Sequence, residues 1–235
     1  MIVLITRPEP DASAFAAACK AHGIAPVVAP LMEIVPSSRD VSLLKVGALA
    51  FTSANGVRAF SANSQARDLP VFAVGAASAG EAEAFGFGTV YTAYGDAASL
   101  AHLIAQERAS INGEVLHIAG THRAGDLVAA LAALGLPARR EVLYETRDAS
   151  ALPEEALAAL ASDEPRLWAA FFSPRSVELF LTLAERAGAV PLLARARAAC
   201  LSEAVGEKAK AVQWKSVEIA AGRHVDAMIE LLCNA

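Results

Sequence analysis

Two serines stand in near-copies of one another. Phe51-Thr52-Ser53-Ala54-Asn55-Gly56-Val57-Arg58-Ala59-Phe60 is echoed by Phe171-Phe172-Ser173-Pro174-Arg175-Ser176-Val177-Glu178-Leu179-Phe180. In each copy a short apolar run ends at Ser, with Val four positions on and Phe seven on. That spacing predicts a strand, a tight polar turn, and a helix buried along its i, i+4, i+7 face. Each turn offers a small hydroxyl and the unpaired N–H groups of a helix start, which favour anions such as carboxylates. If the two turns face each other, they can hold one large acidic ligand between two domains. Helix capping is the plainer role for Ser53 and Ser173, and one residue can do both. Neither serine sits in a G-x-S-x-G elbow, which argues against a covalent nucleophile.

Other residues add to this anion chemistry. Arg7 follows the first apolar run, and Pro8 fixes the chain beyond it. Arg175 can fork onto a carboxylate beside Ser173, and Arg123 is a cation in a loop after another strand. Asn55 suits its own turn as readily as a ligand. Gly75 and Gly95 permit close backbone approach, but neither belongs to a G-x-G-x-x-G nucleotide fingerprint. Asp96 is placed to cap the helix that follows it. Tyr144 reads as a half-buried strand aromatic. His117 and His122, five apart across a strand end, make a poor metal site. Cys19, Cys200 and Cys233 form no metal pattern, and Cys19 and Cys200 read as core.

These residues need elements to position them. Apolar runs alternate with helices from end to end: strands at 2–5, 26–31, 48–52, 71–74, 89–91, 115–118, 142–144, 167–172, 197–201 and 217–220, with helices between. Such alternation makes parallel sheets covered on both faces. Nearly a dozen strands in 235 residues suits two smaller doubly wound domains better than one. Ligands then sit at the carboxyl ends of strands, where both serine turns fall. Candidate crossings lie at 33–38 and 141–147. The predicted division is a discontinuous domain of residues 1–36 plus 144–235, with residues 37–143 inserted.

Composition narrows the class. A net charge of −5 argues against a general nucleic-acid binder. Residues are 55% hydrophobic but only 6% aromatic, and alanine-rich buried helices account for the difference. The first residues lack the basic leader and apolar length of a secretory signal. No stretch suits a membrane span. A reduced cytoplasm is the expected setting.

With these motifs in place, the chain resembles the uroporphyrinogen-III synthase family. The resemblance rests on Thr6-Arg7-Pro8, the two serine segments, Val74-Gly75, Leu143-Tyr144-Glu145-Thr146 and Cys200-Leu201-Ser202-Glu203-Ala204-Val205, in that family's order and spacing. It implies two flavodoxin-like doubly wound parallel-sheet domains joined by a two-stranded crossing, with the first domain built from both chain ends. It implies a cyclising hydro-lyase of tetrapyrrole (porphyrin, heme) biosynthesis. That enzyme closes hydroxymethylbilane to uroporphyrinogen III, losing water and inverting ring D through an azafulvene and a spiro intermediate. No cofactor and no metal are implied. The partners implied are the linear tetrapyrrole and a transient contact with the enzyme that makes it, with the chain acting as a monomer. The implied substrate-binding set is Arg7, Ser53, Asn55, Gly75, Gly95, Arg123, Ser173, Pro174, Arg175 and Ser202, with Tyr144 assisting loss of hydroxide as an acid. Ser202 stands where some relatives carry a threonine-rich turn, with Glu203 beside it. The alternative is a cytoplasmic two-domain binding protein, or an enzyme, for a small acidic or phosphorylated ligand.

Overall fold

The computed structural model describes residues 1–93, 95–122 and 125–234. In chain order the elements are β1 (Ile2–Ile5), α1 (Asp11–Ala21), β2 (Ala25–Val28), β3 (Met32–Pro36), β4 (Val46–Phe51), α2 (Ala54–Asn63), β5 (Val71–Ala73), α3 (Ala76–Ala84), β6 (Val90–Thr92), α4 (Ala97–Gln106), β7 (Glu114–Gly120) and α5 (Leu127–Ala133). Then come β8 (Ala138–Asp148), α6 (Glu154–Ala161), β9 (Leu167–Phe171), α7 (Pro174–Arg186), α8 (Val190–Leu193), β10 (Arg197–Cys200), α9 (Glu203–Ala209), β11 (Ser216–Ile219) and α10 (Val225–Cys233).

The chain divides into two units, Met1–Glu33 with Arg147–Ala235, and Ile34–Thr146. The first holds a five-stranded sheet in the order β11-β10-β9-β1-β2, with every pairing parallel. Counted along the chain, that is the flavodoxin order 2-1-3-4-5. The second holds a six-stranded sheet, β3-β8-β7-β4-β5-β6, parallel from β8 through to β6. Both are doubly wound α/β sheets. The division falls at 33/34 and 146/147, three residues outside the predicted borders at each crossing, because β3 and β8 join the second sheet for most of their length.

Each sheet is covered on both faces, and its central strands, such as β4 and β9, therefore read as unbroken apolar runs. In β9, Leu167, Ala169 and Phe171 enter one core while Trp168 and Ala170 enter the other. In β4, Leu49 and Phe51 face one side and Ala48 and Ala50 the other. The two copied segments share a packing device. Phe51 meets Phe60 edge-on at 6.1 Å and 68°, and Phe171 meets Phe180 at 5.2 Å and 70°. In each copy the strand is thus pinned to the helix that leaves the serine turn.

Several boundaries shift by a residue or more from the sequence reading. The strand expected over 26–31 ends at Val28, and the chain past Ala29-Pro30 starts β3 in the other sheet. Helix α5 starts only at Leu127, because Gly125 has φ +87° and Asp126 accepts from the Ala129 N–H at 3.0 Å as its cap. The short strand expected at 142–144 is an 11-residue strand, Ala138–Asp148. Its charged residues hid it, but they are paired: Arg139 bridges Glu114 at 2.7 Å and Glu141 at 3.1 Å.

Among the described residues, no helix is long and apolar enough to cross a membrane.

Candidate functional site

A doubly wound sheet binds ligands where its strand order reverses, because the flanking connections part there and leave a crevice at the carboxyl edge. In the first unit the chain leaves β1 for β2 on one side, and β9 lies on the other. Arg7 follows β1, and Phe172-Ser173 follow β9. The two strand ends meet: the Arg7 guanidinium lies 4.2 Å from the centre of the Phe172 ring. Arg7 also donates to Asp11 at 2.6 Å. One carboxylate and one aromatic face therefore orient the cation, and its guanidinium carries five N–H donors in all.

Ser173 is the N-cap of α7. Its Oγ accepts from the Ser176 N–H at 3.1 Å, and the Ser176 hydroxyl answers at the cap in a full capping box. Pro174 occupies the first turn, where its missing N–H removes no helical bond. Arg175 pairs with Asp148 at 2.6 Å. Ser202 is the N-cap of α9, but its side chain makes no capping bond. Both Cys19 and Cys200 are buried. Burial pushes their thiols up, to about 11 and about 12 respectively, so they are inert as nucleophiles.

In the second unit the reversal lies between β4 and β7. The Ser53 turn leaves the end of β4. Ser53 caps α2 by accepting from the Asn55 N–H at 3.2 Å. Gly56 lets the first turn of α2 sit on β7, since an added Cβ would lie 3.1 Å from the Ile118 carbonyl oxygen. The Asn55 side chain is turned inward, accepting from Arg58 at 2.9 Å. Arg58 in turn makes a bidentate pair with Glu81 of α3 at 2.7 and 2.9 Å. This clamp ties the start of α2 to α3, and Arg58 and Glu81 lie too far apart in sequence for spacing to reveal it. Gly75 caps α3 in extended conformation, and a Cβ there would meet nothing within 4 Å. Neither strain nor packing accounts for that glycine. Gly95 differs: a Cβ would strike Ser99, which forms the α4 capping box with Asp96. Arg123 lies outside the described residues.

Tyr144 is buried, only 9% exposed, and packs in the apolar cluster of Phe51, Phe60 and Leu143. In register it stands opposite Gly120, with its ring over the glycine, where a Cβ would collide with it. The arginine beyond it, Arg140, donates to the Gly120 carbonyl. The carboxyl end of β7 is thus fixed by two residues of β8.

A buried histidine completes this edge. His117 is 6% exposed, and its Nε2 lies 3.1 Å from the Thr52 hydroxyl oxygen. Burial and the nearby Arg140 charge pull it down to about 4, against a smaller upward pull from Asp126. The ring is therefore neutral near pH 7. Its only signal in the sequence is a polar residue inside an otherwise apolar strand. Among the described residues, no group of three or more His, Cys, Asp or Glu is placed to hold a metal ion.

The family model described as Uroporphyrinogen-III synthase HemD matches residues 13–230. The chain also resembles the crystal structure of uroporphyrinogen-III synthetase from Helicobacter pylori, at 17% identity and a TM-score of 0.67. The match covers 99% of this chain and 98% of that one. A crystal structure of mutant uroporphyrinogen III synthase from the extremely thermophilic bacterium Thermus thermophilus matches at 17% identity and a TM-score of 0.58, covering 99% and 97%. At these identities the two structures speak for the fold. No curated protein is significantly similar in sequence.

Proposed function

Since the chain belongs to the uroporphyrinogen-III synthase family, we propose that its two serine turns are the carboxylate-binding ends of that enzyme's substrate site. The reaction is the closure of hydroxymethylbilane, a linear tetrapyrrole, to uroporphyrinogen III, with loss of water and inversion of ring D. The chemistry asks two things of the protein. It must hold a flexible polyacid so that ring D closes inverted, which is a matter of orientation. It must also help hydroxide leave.

In this reading Arg7, Ser173, Pro174 and Arg175 of one unit, and Ser53, Asn55 and Gly75 of the other, engage substrate carboxylates. They use backbone N–H groups, hydroxyls and guanidinium forks. Ser202, with its hydroxyl unspent on capping, Gly95 and Arg123 extend the set. Tyr144 donates a proton or hydrogen bond to the departing hydroxyl. The chain works as a monomer and meets the enzyme that makes its substrate only transiently. The observation that supports this most is the same in both units: a serine turn leaves one of the two strands at which the sheet order reverses.

The test is incubation with freshly generated hydroxymethylbilane, with the uncatalysed reaction subtracted. Isomer III is expected. Isomer I alone, at the uncatalysed rate, would overturn the reading.

A further inference from the structure

The two serine turns differ in the residue before the serine: Thr52 in one, Phe172 in the other. Phe172 carries the Arg7 guanidinium on its ring. Thr52 is half-buried, and its hydroxyl meets the imidazole of His117.

Hydrogen-bond accounting fixes the sense of that contact. His117 lies within β7, opposite Ala50 of β4 on one side and Arg140 of β8 on the other. Its Nδ1 is buried and has no hydrogen-bond partner among the described residues. A neutral imidazole carries one N–H. Were the proton on Nδ1, a buried donor would be left unpaired, at the full desolvation penalty. With the proton on Nε2, the donor is satisfied by Thr52, and only a lone pair is left at Nδ1. The charged groups about the ring, Arg140 from β8 and Asp126 before α5, sum to a net push towards the neutral form. Nε2–H therefore donates to Thr52 Oγ. That contact occupies the acceptor side of the threonine hydroxyl and leaves its O–H to donate elsewhere. Ser53 is in the same state, since its Oγ accepts from the Asn55 N–H and its own proton is left to give.

We propose that Thr52 is a second substrate-contacting hydroxyl beside Ser53, and that His117 is the positioning residue that keeps it a donor. The inference rests on the reading of the serine turns given above. The second unit then offers the substrate a further neutral O–H donor, one residue before Ser53, where the first unit presents a cation. Carboxylate oxygens only accept, so each such donor can hold one.

The experiment combines ring spectra with steady-state kinetics on the full chain. In ¹⁵N–¹H spectra of the imidazole, His117 should be neutral at pH 6 and carry its proton on Nε2; an Nδ1–H tautomer would overturn the proposal. With hydroxymethylbilane as substrate, Thr52→Val should raise KM about fivefold, the size of one lost hydrogen bond, with kcat little changed. Thr52→Ser should restore it. His117→Leu should raise KM by a similar or smaller factor. His117→Gln, whose amide nitrogen reaches the place of Nε2, should recover most of the loss. Because the histidine acts only through the threonine, the double variant His117→Leu/Thr52→Val should be no worse than Thr52→Val alone. Multiplying KM effects, or an unchanged KM in folded Thr52→Val, would refute the role. Failure of the wild-type chain to make isomer III would instead strike the functional reading and leave the tautomer result intact.

Discussion

Tyr144 and His117 each decide something through a single atom. For Tyr144 that atom is the phenol oxygen. Its ring is packed over Gly120 and among Phe51, Phe60 and Leu143, so Tyr144→Phe keeps the packing and isolates the hydroxyl. If the phenol helps hydroxide leave, kcat should fall about a hundredfold, with a much smaller change in KM. Product formed on the enzyme should remain isomer III, because the binding turns are untouched. Unchanged turnover in the folded variant would reduce Tyr144 to a packing residue. For His117 the consequence is stability against acid. Its folded value near 4 lies below the ordinary 6.5, so the unfolded chain binds the extra proton first. The contribution is fully present above about pH 6.5 and is lost as the pH falls through 4, amounting to about 3 kcal/mol in all. Denaturant midpoints from pH 7 to 4 should fall more steeply for the wild type than for His117→Gln. Parallel curves would exclude His117 as the titrating group.

At the level of elements, the copied segment is a strand, a cap and a helix held by one aromatic pair. Ser53 and Ser173 each accept one bond from the following helix. Replacing either with alanine should cost about 1 kcal/mol of stability and raise KM about fivefold, while replacing both should cost more than either alone. Melting curves measured beside steady-state rates would show this. Complete inactivity of one folded single variant would contradict binding shared over both turns. Phe180→Ala should be far more damaging to the fold, by about 3–5 kcal/mol, since it empties the contact with Phe171 and Trp214. A denaturation midpoint close to wild type would show that the pair does not pin the helix.

Much of this was legible in the sequence because it is local. The valine and phenylalanine spacing after each serine carries the helix face, and Ser53, Ser173 and Asp96 cap where their types suggest. What spacing could not carry is long-range. β8 hides behind Arg139, Arg140 and Glu141, of which Arg139 reaches Glu114 and Arg140 reaches the Gly120 carbonyl, both distant in sequence. The Arg58–Glu81 clamp and the Thr52–His117 contact join residues brought together only by strand order.

For the whole molecule, the two units differ in how the chain supplies them. The second is one continuous stretch with apolar clusters on both faces of its own sheet. A fragment spanning Met32–Asp148, with β3 and β8 entire, should fold alone and melt cooperatively, though without making isomer III. A dispersed amide spectrum would establish this; a collapsed one would mean that the unit depends on the rest of the chain. The first unit has no such independence, because β1 pairs with β2 on one side and β9 on the other, and β9 begins only at Leu167. On a ribosome this becomes a matter of time. After β2 emerges, well over a hundred residues must be made before β9 can reach β1, roughly ten to thirty seconds at ordinary elongation rates. Through that interval Val3, Leu4 and Ile5 lie on a strand with an open edge, a template for wrong pairing. The interrupted order of the chain thus sets a window of aggregation risk during synthesis, and the second unit has a similar one at β3, whose neighbour β8 begins only at Ala138.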